Sequence, residues 1–158
     1  MNIFRLADSP EESATLQCDK HVVKMPLETA QLLCSAHPEG VAPYKRTHYN
    51  HPSAVWVRES IDNYFWAIDH GLELCDEYHR RYGAAKGKQH ASRAVIEWAA
   101  TNLPDLPAIG PTPMPQCMPE EYQVAGDPVA AYRKYYRGDK SAIAAWKHTD
   151  RPAFMETV

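Results

Sequence analysis

Apolar residues recur along most of this chain at helical rather than alternating spacing. Val55, Ile61, Phe65, Ile68, Leu72 and Cys75 form one such stripe, and that period predicts an amphipathic helix. It runs from Pro52 to about Tyr82, with Gly83 just past its end as a stop signal. Upstream, Ser9-Pro10-Glu11-Glu12 reads as a helix start. The serine caps, the proline takes the first turn, and Glu12 lies three residues after the cap. The helical pattern continues to about Ala36, with Pro26 inside it removing one backbone hydrogen bond and predicting a kink. His37-Pro38-Glu39-Gly40 ends the element, and the polar stretch Tyr44–Asn50 is a loop.

A third helix is predicted from Gln89 to Thr101. A fourth opens at Asp127-Pro128 and runs through Tyr136, and a short last one covers Ser141 to Lys147. Only Asn2 to Leu6 suggests an extended segment. Six of the thirteen prolines lie between Pro104 and Pro119, which predicts an irregular wrap rather than helix or strand. The expected fold is all-α: a compact single-domain helical bundle over residues 1–158, with one long proline-rich connection.

Composition narrows the class. With 158 residues, 44% of them hydrophobic and 23% charged, the chain buries a core of its own. It has no apolar run near 18 residues, the length a membrane helix needs. The start turns acidic at Asp8, unlike a signal peptide. Four cysteines (Cys18, Cys34, Cys75, Cys117) without CxxC spacing read as free thiols in a reducing cytoplasm.

The net charge of -3 argues against a nucleic-acid partner only if charge is evenly spread, and it is not. Glu59 to Glu77 holds six acids and no Lys or Arg. Arg80 to Arg93 holds five bases (Arg80, Arg81, Lys86, Lys88, Arg93) and no acid. Arg133 to Arg151 holds six bases against Asp139 and Asp150. Two basic blocks on one side present a positive surface despite the overall balance. Aromatics interleave with the second block in Tyr132-Arg133-Lys134-Tyr135-Tyr136-Arg137, with Trp146-Lys147 beyond. Rings beside cations suit a groove that tracks phosphates and stacks bases. The same spacing of Tyr132, Tyr135 and Tyr136 suits a helix that buries them.

Two constellations carry candidate chemistry. His21, Lys24 and Glu28 are spaced i, i+3, i+7, close to one helical stripe. They suit an anion contact with a general acid or base, and equally a salt-bridged helix face. The second cluster is Lys45, Arg46, His48 and His51, with Arg58 further on. If His51 and Pro52 open a helix, backbone N–H groups there make an anion site beside two histidines. His48 and His51 lack a third ligand at a metal-binding spacing, so no metal is expected. No P-loop, dinucleotide fingerprint or GxSxG is present, and no cofactor is expected.

The extreme N-terminus, Asp19-Lys20-His21 with Glu28 seven residues after the histidine, and Tyr132 to Arg137 together resemble the phage pyrimidine-dimer DNA glycosylase family, the UV endonuclease V type. The strings CDKHVVKM and HYNHPSAVWVRES look like a little-characterised branch of small phage proteins assigned to it. The resemblance implies an all-α, metal-free enzyme that flips a nucleotide out of double-stranded DNA, in the cytoplasm of an infected bacterium. It implies an N-terminal α-amine attacking the sugar C1′, with Glu28 in proton transfer and His21 as a site or DNA contact. An α-amine ordinarily titrates at roughly 7.7 to 8.0, so a useful fraction is neutral near pH 7. Arg80, Arg81, Lys86, Lys88, Tyr132, Arg133, Lys134, Tyr135, Tyr136 and Lys147 are the implied and charge-based DNA contacts.

One departure stands out. The family's characterised enzymes expose a small second residue after losing the initiator methionine. Here the second residue is Asn2, whose size retains Met1, so the free amine belongs to Met1. That departure, with the cation-rich cluster at Lys45, Arg46, His48, His51 and Arg58, motivates a second reading. In it a free amine or amino acid is joined to a phosphorylated 5-hydroxymethyluracil in phage DNA, Glu28 taking the proton from the incoming amine. A third reading is a non-catalytic DNA-binding protein.

Overall fold

A computed structural model describes residues 1–156, and every regular element among them is helical. The α-helices are α1 (Pro10–Thr15), α2 (Asp19–Ser35), α3 (Pro52–Glu59), α4 (Ile61–Tyr78), α5 (Arg93–Thr101) and α6 (Pro128–Arg137). One π turn, His79–Gly83, and a 3-10 turn, Ala84–Lys86, extend α4. Short 3-10 turns also occur at Glu120–Tyr122 and Ala153–Glu156. α4 is the centre of the bundle, with α1, α2, α3 and α5 packed around it. Leu32, Leu33, Tyr64, Leu74 and Ile96 meet there with no exposed surface. Each such side chain adds about 1.5–3 kcal/mol of burial.

The all-α expectation holds, and the predicted helix starts at Pro10, Pro52 and Pro128 are the observed ones. The Ser9 hydroxyl accepts from Glu12 N and the Asp127 carboxylate from Ala130 N. Two predicted long helices are each broken once. The first breaks at Leu16–Cys18, and α2 then runs through Pro26 without interruption. The carbonyls that the break frees are taken from far away in sequence. Arg81 donates to Thr15 O (3.0 Å) and Gln17 O (2.8 Å), and the Trp146 indole donates to Leu16 O (3.1 Å). The second break is at Ser60, whose extended backbone lets its hydroxyl cap α4 by accepting from Asn63 N at 3.1 Å. Ile61 N, left outside the helical ladder, donates to Pro107 O in the proline-rich wrap at 3.0 Å.

Three further segments differ from expectation. α5 begins at Arg93 rather than Gln89. Ser141 to Lys147 forms turns and irregular chain, not a helix. Its backbone serves α2 instead: Ala145 O accepts from Asp19 N, and Lys147 N donates to the Asp19 carboxylate. The 3-10 turn near the C-terminus carried no sequence signal. Residues 2–6, expected to be extended, have no regular secondary structure and pair with no strand. Side chains satisfy their backbone: Leu6 N donates to the Ser13 hydroxyl, which donates to Phe4 O, and Leu6 O accepts from Arg133. This segment crosses α2 and α6, with Phe4 edge-on to Tyr132 and Tyr136.

Candidate functional site

The N-terminal segment ends in a mostly polar cleft of about 270 Å³, formed with α2, α6 and the chain around Cys117. Asn2 is the anchor. Its side-chain amide donates to Cys117 O at 2.9 Å, while its Oδ1 accepts from Tyr132 Oη–H at 2.7 Å and from Ile3 N at 2.8 Å. Fixing residue 2 fixes the amine before it. Asn2 N donates to Glu28 Oε2 at 3.0 Å, and the Met1 amine lies 3.8 Å from Glu28 Oε1. Lys24 Nζ, one turn back along α2, is 3.3 Å from the same oxygen. A buried-sided carboxylate therefore faces an amine, an ammonium and an amide N–H, the setting in which a proton can be held or handed on.

His21, Lys24 and Glu28 all line this cleft, so the i, i+3, i+7 spacing brings them together. The His21 ring is stacked on Phe4, with centroids 4.0 Å apart and planes 16° apart. Its Nδ1 is 2.6 Å from the Tyr136 hydroxyl oxygen. Burial, reinforced by the Lys140 and Lys24 charges, pushes the imidazole pKa down to about 3. His21 is thus neutral at physiological pH. Phe4, Cys117 and Lys140 also line the cleft and were not among the expected site residues. Lys140 lies in the second basic block, the one signal that pointed near it. Its ammonium nitrogen sits over the Tyr135 ring, 5.1 Å from the centroid.

The second cluster comes together only in part. Arg46 and Arg58 stack on the Tyr49 ring, their guanidinium carbons 4.3 and 3.7 Å from its centroid. Arg46 also donates to His37 O and pairs with Glu39, and Arg58 donates to Tyr49 O. Lys45 and His48 are exposed. His51 does open α3: its Nδ1 accepts from Ser53 N at 3.1 Å, an imidazole serving as helix cap. Burial lowers its pKa first, with the Met1 amine and His48 acting the same way and Glu28 opposing. The charge environment of His51 includes the Met1–Glu28 pair.

The basic blocks also divide. Arg81 is an interior residue, its side chain 1% exposed between Asp19 (3.2 Å) and Glu77 (2.8 Å), so the expectation that it touches DNA is corrected. Arg80 pairs with Glu73 and Glu77, and Arg93 with Asp76 and Glu97. Glu73, Asp76 and Glu77, the acids in the C-terminal half of α4, are thus paired with the basic block that follows it. Lys86 and Lys88 remain exposed there. Tyr132 and Tyr136 have no exposed surface; they belong to the helix-burial reading, and base stacking on them is corrected likewise. Tyr135 is half-buried at the cleft. Arg133 donates to Leu6 O, Lys134 is exposed with its ammonium on Glu121 O, and Lys147 is exposed. Among the described residues, no three His, Cys, Asp or Glu side chains are placed to hold a metal ion. All four cysteines are free thiols.

The first amine of this helical chain thus meets a carboxylate, beside a neutral histidine and two lysines. The family model for pyrimidine dimer DNA glycosylase matches residues 1–89, more than half of the chain, and the chain belongs to that family. No curated protein and no solved structure matches it. The family match contains Met1, Asn2, His21, Lys24 and Glu28, while α6 and Lys140 lie beyond it.

Proposed function

We propose that this protein excises a damaged pyrimidine from double-stranded DNA after the nucleotide is turned out of the duplex, with the Met1 amine as nucleophile and Glu28 as proton carrier. The observation that carries the reading is the Glu28 carboxylate spanning the Met1 amine and the Asn2 N–H. The neutral amine forms a bond to C1′ as the glycosidic bond breaks. The base departs with that bond's electron pair and takes up a proton, and Glu28 receives the proton the amine sheds. Lys24 and Lys140 flank the cleft as phosphate contacts, and exposed Lys134 extends the cationic rim. Turning the nucleotide out is what lets a shallow surface cleft reach a sugar carbon.

The test compares wild type with Glu28→Gln on duplexes carrying a thymine dimer, an abasic site, or phosphorylated 5-hydroxymethyluracil. Wild type breaks one glycosidic bond of the dimer, the detached base staying joined to its neighbour through the cyclobutane ring until photoreversal frees it, and forms a borohydride-trapped adduct on the Met1 peptide; Glu28→Gln binds the duplex and does neither. A lasting mass gain on the third duplex, dependent on added amine, supports transfer instead. Activity on none of them with binding intact leaves a DNA-binding protein. Excision stands ahead of transfer because the arginines that transfer needs for a departing phosphate are spent on Tyr49 and on backbone carbonyls.

A further inference from the structure

A tyrosine hydroxyl has one proton to give. The Tyr136 oxygen already accepts from Cys18 N at 3.3 Å. Two acceptors compete for its proton: His21 Nδ1 at 2.6 Å and the Cys18 sulfur at 3.7 Å. Nitrogen is both the nearer and the better acceptor, since a thiol sulfur accepts weakly. A proton on His21 Nδ1 would turn the short contact around and leave the hydroxyl with the sulfur alone. The network therefore leaves Nδ1 bare and puts the imidazole proton on Nε2. Nε2 has no protein partner among the described residues, and His21 lines the cleft beside Lys24 and Glu28. Phe4, stacked on the ring face, holds the plane in which that N–H points.

We infer that Tyr136 is a positioning residue: it fixes His21 as the Nε2–H tautomer, a neutral donor aimed into the cleft at an acceptor oxygen of the bound nucleotide. This rests on the excision reading above and divides the labour within it. His21 donates a hydrogen bond without ionising, and Glu28 moves the proton. Lys24 and Lys140, whose charges act on His21, oppose an imidazolium there, as does burial. Tyr136 has no exposed surface and touches no substrate, so its influence reaches the reaction through His21.

The test is 15N NMR of histidine-labelled protein without DNA, the His21 signals assigned by their loss in His21→Gln. Wild type should show a protonated Nε2 and a bare Nδ1, unchanged from pH 8 to pH 5. In Tyr136→Phe the pattern should become a mixture of tautomers, and kcat on the thymine-dimer duplex should fall about tenfold to hundredfold with KM nearly unchanged. A proton on Nδ1 in wild type overturns the inference, and that spectrum decides it even if Tyr136→Phe fails to fold. A folded Tyr136→Phe with the wild-type nitrogen pattern, or with a changed pattern and unchanged kcat, overturns it as well. The predicted nitrogen pattern in a wild type that breaks no glycosidic bond counts against excision, while the tautomer assignment stands.

Discussion

Replacing Arg81 with methionine separates a structural cation from a DNA contact. The guanidinium donates to Glu77 (2.8 Å), Asp19 (3.2 Å), Gln17 O (2.8 Å) and Thr15 O (3.0 Å). Breaking a buried ion pair from one side costs about 3–5 kcal/mol. Glu77 keeps Arg80 and Asp19 keeps Lys147 N, which holds this share near the lower end. The two carbonyls lose donors at about 1 kcal/mol or somewhat more between them, giving a total of about 4 kcal/mol. At about 2–4 °C per kcal/mol for a domain of this size, Tm should drop by about 8–16 °C. Thermal and urea unfolding followed by circular dichroism measure this. Adding Asp19→Asn and Glu77→Gln should restore roughly half, because no uncompensated charge then stays buried. The salt dependence of duplex binding, measured well below Tm, should keep its slope. A loss under about 1 kcal/mol, or a slope reduced by about one unit, would refute the assignment and return Arg81 to the surface.

Other expectations concern acid, packing and charge. Burial holds the His70 imidazole down to about 4 and that of His21 down to about 3. Each binds a proton in the unfolded chain below about 6.5 but stays neutral in the folded one, so its share of stability is intact above that pH. It is lost as pH falls toward the folded value, at up to about 1.4 kcal/mol per pH unit for each group. Urea unfolding at pH 7, 6 and 5 should show this slope, and His70→Gln should flatten it; an unchanged slope removes His70 from the account. A β-carbon on Gly83 would collide with Lys88 O, so Gly83→Ala should cost about 1–3 kcal/mol in the same assay, and a neutral result would mean that the turn yields. Lys140→Ala should lower the salt slope of duplex binding by about one unit, whereas an unchanged slope would take Lys140 out of the phosphate contacts.

Local features were legible and distant ones were not. The caps at Ser9 and Asp127 and the proline starts act within one helical turn, so they read directly from neighbouring residues. His21, Lys24 and Glu28 were legible because helical geometry alone puts them on one stripe. The break at Leu16–Cys18 has no glycine or proline; Arg81 and Trp146 stabilise it from more than 60 residues away. Ser60 carried a capping hydroxyl, but the apolar stripe running past it suggested one unbroken helix. Cations and aromatics in a run have the same composition whether they face solvent or core. Thus Arg81, Tyr132 and Tyr136 read as a DNA surface until the fold turned them inward; Cys117 joins the cleft through the wrap, and Phe4 through the N-terminal segment packed on α2 and α6.

The N-terminal amine is held by parts of the chain that arrive late. Asn2 is tied to Cys117 and Tyr132, and His21 to Tyr136. A ribosome emits these partners more than a hundred residues after the segment they secure. Met1 and Glu28 therefore both exist in a nascent chain long before they are aligned. The match to residues 1–89 contains Met1 and Glu28 but not Cys117, Tyr132 or Tyr136. On the excision reading proposed above, the amine is thus seated only after Cys117 and Tyr132 have been made.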